Sequence, residues 1–202
     1  MAFEFVKVHP GDAGSLMRYV DSPAIPSMLA TDQQETVIQW YIATLEQALE
    51  KEHENFYQIH APDGTPVGFC GWTFDQAQPP KAEASRPRPR REHDLLPETL
   101  NLQSWIQVSA SLRTERERVI GRLQNVCRLT FMMVHPDYQR QGLGSLLLKC
   151  LCEEFERSLR LSFVMASPAG VRLYTKFGFR IMGVVSSQEG QFTSMLRQPQ
   201  GI

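Results

Sequence analysis

Apolar residues recur along this chain in two rhythms, one of period two and one near 3.6, and the changes of rhythm mark its elements. Phe3 and Phe5 alternate with Glu4 and Val6, which predicts a first strand over 3–8. Asp12 is placed to cap a short helix carrying Leu16, Tyr19 and Val20 on one face, interrupted by Pro23 and Pro26. Asp32, with Glu35 at the capping-box position, opens a stronger helix. Val37, Trp40, Tyr41, Leu45, Ala48 and Leu49 follow it at helical spacing. The run "FYQIHAPDGTPVGFCGWTF" reads as a hairpin, because two strand-like stretches flank Asp63-Gly64, a pair that supplies positive φ cheaply. Its second strand is expected over 67–74.

The rhythm then stops. Residues 76–101 are rich in proline and charge and poor in large apolar side chains, so they read as an insertion, a flap or a partly disordered loop. Helical spacing returns from Leu102 to Val119, through Trp105, Val108 and Leu112. "CRLTFMMV", Cys127 to Val134, is an apolar strand. Gly144 to Leu159 is an amphipathic helix with Leu147, Cys150, Leu151 and Phe155 on its core face. Leu161–Ala166 is a strand and Pro168–Phe177 a short helix closed by Gly178. Phe179–Val185 and Phe192–Leu196 complete the series as strands. Strands and helices in this order predict an α/β (α+β) fold, a mixed sheet with helices on both faces. The strand–helix–strand unit from Cys127 to Ala166 should be parallel.

At 202 residues the chain suits one domain spanning 1–202. A net charge of −1 gives no global field toward nucleic acid or an anionic membrane, so neither is expected as a partner. Arg86, Arg88, Arg90 and Arg91 make the insertion locally basic, which reads first as a solvated linker, with a flap that meets an anionic ligand and a nuclear-localisation or nucleic-acid segment as alternatives. No apolar run reaches the length of a membrane span, and "MAFEFVKVHPGD" lacks the basic and apolar regions of a secretory signal, so a cytoplasmic location is expected. Cys70, Cys127, Cys150 and Cys152 sit in apolar segments without zinc spacing; they read as buried reduced thiols, and no metal is expected.

The chemistry concentrates in "MMVHPDYQRQGLGSLLLKCL", where a polar glycine-bearing loop separates two apolar elements. The first amides of a helix have no intrahelical partner, and the helix dipole adds positive character there. Phosphate is the usual guest. Gly142 and Gly144 let backbone approach that guest, while Gln139, Arg140 and Gln141 add donors. A P-loop would need a lysine before Ser145, and a dinucleotide fingerprint would need a third glycine.

"VHPDYQRQGLGSLLL" resembles the acyl-CoA loop of the GCN5-related N-acetyltransferase (GNAT) superfamily, with Gln139, Gly142 and Gly144 at its signature positions. About thirty residues on, "ASPAGVRLYTKFGF" is similar to that family's short helix with its Leu-Tyr pair and following Gly-Phe. The resemblance implies a mostly antiparallel sheet with a V-shaped parallel splay. It implies acetyl-CoA as co-substrate, with backbone of Met132, Met133 and Val134 pairing with the pantetheine arm. Gln139, Arg140, Gln141, Gly142, Leu143, Gly144 and Ser145 would hold the pyrophosphate. Ser167 stands where many members carry a CoA-contacting asparagine. Tyr174 would protonate the leaving thiolate. Many relatives supply a general base as a glutamate on one of the two central strands, and "CRLTFMMV" and "LSFVMAS" carry none. Glu98 is preferred, because an acidic group on a flap can reach a substrate opening; Asp94, His93, His135 and a water chain are alternatives, and an aryl amine or other weakly basic nucleophile would need no strong base. Trp40, Tyr41, Trp72 and Trp105 are candidate pocket walls.

The activity so implied is acetyl transfer to the amine of a small molecule by direct attack. A protein or peptide acceptor and a weakly catalytic acyl-CoA-binding module stay open. The oligomeric state is not legible.

Overall fold

The structure, a computed structural model, describes residues 4–8, 42–43, 45–50, 54–75, 102–187 and 190–199. The helix expected after Asp12, most of the one opening at Asp32, and the insertion at 76–101 lie outside those residues. So do Glu98, Asp94, His93, Trp40 and Tyr41.

Seven strands form one sheet in the order β1-β2-β3-β4-β5-β7-β6. They are β1 (Glu4–Lys7), β2 (Glu54–His60), β3 (Pro66–Asp75), β4 (Val126–Val134), β5 (Leu161–Ala166), β6 (Arg180–Ser187) and β7 (Gly190–Arg197). Helix α1 is Leu102–Ile120, α2 is Leu143–Arg157 and α3 is Pro168–Lys176. Every pairing is antiparallel except β4 with β5. The β2–β3 turn closes as Gly64 N–H donates to the Ala61 carbonyl at 2.9 Å, with Gly64 at φ 82°. Asp63-Gly64 is therefore the tip, in a loop longer than the two-residue form.

Alternate side chains sort the sheet into two faces. Cys70, Leu129, Met132, Val164 and Met195 pack with Leu147, Leu148, Leu151, Phe155 and Tyr174 of α2 and α3. On the opposite face Phe56, Phe69, Phe131 and Met133 pack with Leu45 and Ala48, from helical backbone at 42–43 and 45–49. Val126, Phe163, Met165 and Leu196 pack there with Val119 and Ile120 of α1. Helices thus cover both faces. Leu148 and Cys152, rather than the expected Cys150, complete the buried stripe of α2. Burying Leu147 and Leu148 completely contributes roughly 2 kcal/mol each. Trp72 is core, stacked on Tyr57 and edge-on to Phe155.

A bulge decides the shape of the sheet's centre. Gly71 pairs with Phe131 and Trp72 with Leu129, so Thr130 is an extra residue in β4. Bulges bend the strand that carries them. Parallel pairing of β4 with β5 covers only Val126, Cys127 and Arg128, and ends just before Thr130. Beyond it β4 stays with β3 to Val134, and β5 stays with β7 to Ala166. The two halves of the sheet separate there, and this is the splay.

A second bulge builds a brace. The β6–β7 register shifts between Ile181 and Gly183. The Met182 carbonyl accepts a 2.8 Å bond from Arg118 Nη2 of α1. Arg118 also donates to Glu115 at 2.7 Å, and Ser194 Oγ donates to Glu115 Oε1 at 2.5 Å. These bonds, Arg118's first, hold the Glu115 carboxyl below its ordinary range. A Cβ on Gly183 would overlap the Glu115 carboxylate. Gly183→Ala is therefore expected to lower stability by about 1 kcal/mol, read from the urea midpoint. In Glu115→Ala background the same change should cost less; equal costs in both backgrounds would remove the brace from the account.

Candidate active site

A cavity of about 530 Å³ occupies the splay. Its walls come from both faces of the sheet: Met132, Val134, Val164 and Tyr174 from the α2–α3 side, and Phe131, Met133 and Met165 from the other. It therefore lies in the gap between β4 and β5 and is lined from both faces.

The α2 end of the cavity is built by the loop after β4. Pro136–Tyr138 forms a 3-10 turn, and His135 Nδ1 accepts from the Asp137 N–H at 3.3 Å. That capping bond occupies one ring nitrogen of His135, which is not a cavity wall. Gln139 Nε2 donates to the Val134 carbonyl at 3.1 Å, tying loop to strand. Gln141 Nε2 folds back onto the Asp137 carbonyl at 3.0 Å. Arg140 takes φ 60° and Gly142 φ 88°, and alternation of this kind turns successive amides toward one concavity. Gly142 is the N-cap of α2 and brings no capping side chain. The first helical bond runs from Leu146 N–H to the Gly142 carbonyl at 3.0 Å. The amides ahead of it are left for a guest.

Gln139, Arg140, Gly144, Met132, Met133, Val134, Ser167 and Tyr174 all line the cavity. Gln141, Gly142, Leu143 and Ser145 do not, and the Leu143 side chain is buried in the core. Ser167 caps α3 by position, with no capping bond from its hydroxyl, and Pro168 follows at the first helical position.

Tyr174 is buried near the end of α3, its ring edge-on to Phe179 at 5.5 Å. Its hydroxyl donates to Met132 Sδ across the splay at 3.4 Å. Burial, and next the neighbouring Cys70, push the phenol above its ordinary value, so it keeps its proton at neutral pH. Gly170 lies one turn earlier, and a Cβ there would stand 3.0 Å from the Tyr174 ring. Sequence reasoning missed Gly170; its i, i+4 relation to Tyr174 was the available signal.

The thiols are unsuited to nucleophilic work. Burial pushes Cys70 to about 12 and Cys152 to about 11, and raises Cys150. Cys70, Cys127 and Cys152 are buried and Cys150 partly so.

Residues 107–181 match the family model described as the acetyltransferase (GNAT) domain. The chain carries a GNAT domain. That match contains most of α1, then β4, the loop, α2, β5 and α3, and ends at the start of β6. Solved structures share the architecture at low identity. An acetyltransferase from Corynebacterium glutamicum, described as histone acetyltransferase HPA2 and related, superposes with TM-score 0.60 at 15% identity, over 100% of this chain and 99% of that one. The PaiA N-acetyltransferase from Thermoplasma acidophilum, solved with coenzyme A, gives 0.57 at 14%, over 98% and 99%. An Escherichia coli N-acetyltransferase of a ribosomal-protein alanine gives 0.55 at 15%, over 100% and 96%. No curated protein matches the sequence significantly. Among the described residues no helix of the GNAT chain is long and apolar enough to cross a membrane.

Proposed function

We propose that this GNAT domain is an acetyl-CoA-dependent N-acetyltransferase that moves the acetyl group directly to the amine of a small molecule. One observation carries the reading. The opening between β4 and β5 has an uncapped helix start at one end and the protonated phenol of Tyr174 in its wall. The coenzyme would supply an activated thioester; every other task falls to the chain. The loop Gln139–Ser145, through its amides and Arg140, would hold the pyrophosphate. Backbone of Met132, Met133 and Val134, freed from β5 by the splay, would pair with the pantetheine arm. One of those amides would hold the carbonyl oxygen as it gains charge. Ser167 would add a hydroxyl contact beside it.

In the step itself the acceptor nitrogen forms a bond to the carbonyl carbon and the carbon–sulfur bond breaks. Tyr174 gives its proton to the departing sulfur. The nitrogen's proton goes to Glu98 on the insertion. The raised cysteine pKa values favour this direct route over an acyl-cysteine one. No metal enters the scheme.

Free-thiol release from acetyl-CoA, measured against alkyl amines, aryl amines, amino acids and peptides, tests the proposal. Release that requires an acceptor supports it. Tight acetyl-CoA binding with no acceptor-dependent release would favour a binding module, the reading suggested by strands β4 and β5 lacking Asp and Glu. Release with peptides alone would make the acceptor a protein. Glu98→Gln is expected to lower kcat about 100-fold near neutral pH and to remove the ascending limb of the pH–rate profile. An unchanged profile would take Glu98 out of the mechanism.

A further inference from the structure

The cavity is lined from both faces of the sheet, so a ligand has two approaches to it, here its mouths, and their chemistry differs. The first carries Gln139, Arg140, Gly144 and Ser167, the polar groups suited to a phosphorylated coenzyme. The second lies on the face shared by α1 and residues 42–43 and 45–49. Phe131 and Met133 belong to that face by their packing with Leu45 and Phe56. Met165 belongs to it by its packing with α1. Phe192 is two residues before Ser194, which meets Glu115 of α1, so it projects to the same side. It stands one position beyond the last β5–β7 pair, Ala166 with Thr193, at the open end of the splay. Two rings and two thioethers therefore dominate the described wall of the second mouth, with Thr130, whose buried hydroxyl has no partner among the described residues, at the bulge between Leu129 and Phe131.

Among the described lining residues one side chain is charged, and it is the cation Arg140. An ammonium arriving at the second mouth would lose hydration to that wall, and no described lining residue is a carboxylate to replace it. An alkyl amine of ordinary basicity is neutral in roughly one molecule in 2,500 at pH 7. An aryl amine is neutral already and presents a flat ring to Phe131 and Phe192. Thioethers, being unbranched and polarizable, fit around such rings.

We infer that the acceptor of this GNAT domain is an apolar amine uncharged at neutral pH, an aryl amine being its simplest form, seated against Phe131, Met133, Met165 and Phe192. The inference rests on the acetyltransferase reading, since it takes the coenzyme to enter by the first mouth. It is compatible with Glu98 as base, because the nitrogen of an aryl amine sheds its proton only as it attacks.

The test uses the full chain saturated with CoA, which holds the coenzyme without turnover. Binding of 4-methylaniline and of cyclohexylmethylammonium, of similar size, is measured at pH 7 by titration calorimetry. The aniline is expected to bind at least about tenfold tighter. In Phe192→Glu the order should reverse, and in Phe192→Leu it should persist, with the melting temperature of each variant reporting folding separately. Equal or tighter binding of the ammonium by the wild type would overturn the inference even if acetyl transfer to alkyl amines proves the parent reading right. Failure of CoA itself to bind would sink the parent reading and this one with it. An aniline preference that survives Phe192→Glu would remove the second mouth as the seat.

Discussion

Tyr174→Phe should lower kcat for acetyl transfer by about 100- to 1,000-fold while leaving acetyl-CoA affinity within about twofold. The phenol's one hydrogen bond in the described structure goes to Met132 Sδ, whereas the proposed pantetheine contact of Met132 is through its backbone. A thioether is a weak acceptor, so the hydroxyl is free to turn toward a better one. As the carbon–sulfur bond breaks, sulfur becomes such an acceptor. The ring itself is held by Phe179 and by the bare backbone of Gly170, and phenylalanine keeps both contacts. Because burial raises the phenol's pKa, wild-type activity should show no falling limb from Tyr174 below pH 10. Stopped-flow thiol release separates this step from product release. Loss of acetyl-CoA binding in the variant, with kcat preserved at saturation, would move Tyr174 from acid to wall.

Gly144→Ala should give a protein that is slightly more stable yet binds acetyl-CoA about 10- to 100-fold more weakly. A Cβ at 144 would meet Leu173 Cδ2 at 3.4 Å and Val134 Cγ2 at 4.0 Å, ordinary contacts that need no rearrangement. Alanine also suits a helix better than glycine by roughly 1 kcal/mol. The protein has no internal reason for glycine here. The reason lies in the cavity, whose wall Gly144 forms beside the amides of α2. A methyl group there would occupy the path proposed for the pyrophosphate and pantetheine. Gly142 makes the contrast. Its φ of 88° penalises any side chain by roughly 1 kcal/mol, although a Cβ would meet no neighbour within 4 Å. Gly142→Ala should lower stability and Gly144→Ala raise it, as melting curves would show. Unchanged acetyl-CoA affinity in Gly144→Ala would put the coenzyme elsewhere.

Local patterns carried the reading of the elements. The strand at Leu161–Ala166 has the bounds its apolar run predicted, and α2 and α3 lie within a residue or two of theirs. The Gln139–Gly144 loop was legible because glycine and proline act on the chain that carries them. The cavity was not legible, because it depends on where pairing between distant strands stops. The extra residue Thr130 is visible only against Gly71 and Trp72, far away in sequence. Alternation puts Met132 and Met133 on opposite faces, and that bulge decides that Met132 is the one toward Tyr174 and Met133 the one toward Phe69. Phe192 as a cavity wall, and Arg118 on the Met182 carbonyl, likewise need partners that no local window contains. Trp72 was weighed as a pocket wall on its type alone, and its stacking on Tyr57 makes it core.

Titration of the protein with acetyl-CoA by calorimetry tests the central claim, that the splay is an acyl-CoA site. The account predicts one molecule bound per chain, with Kd at or below about 100 µM, displaced by free CoA and weakened in Gly144→Ala. Absence of binding at millimolar acetyl-CoA, or binding indifferent to that substitution, would contradict it.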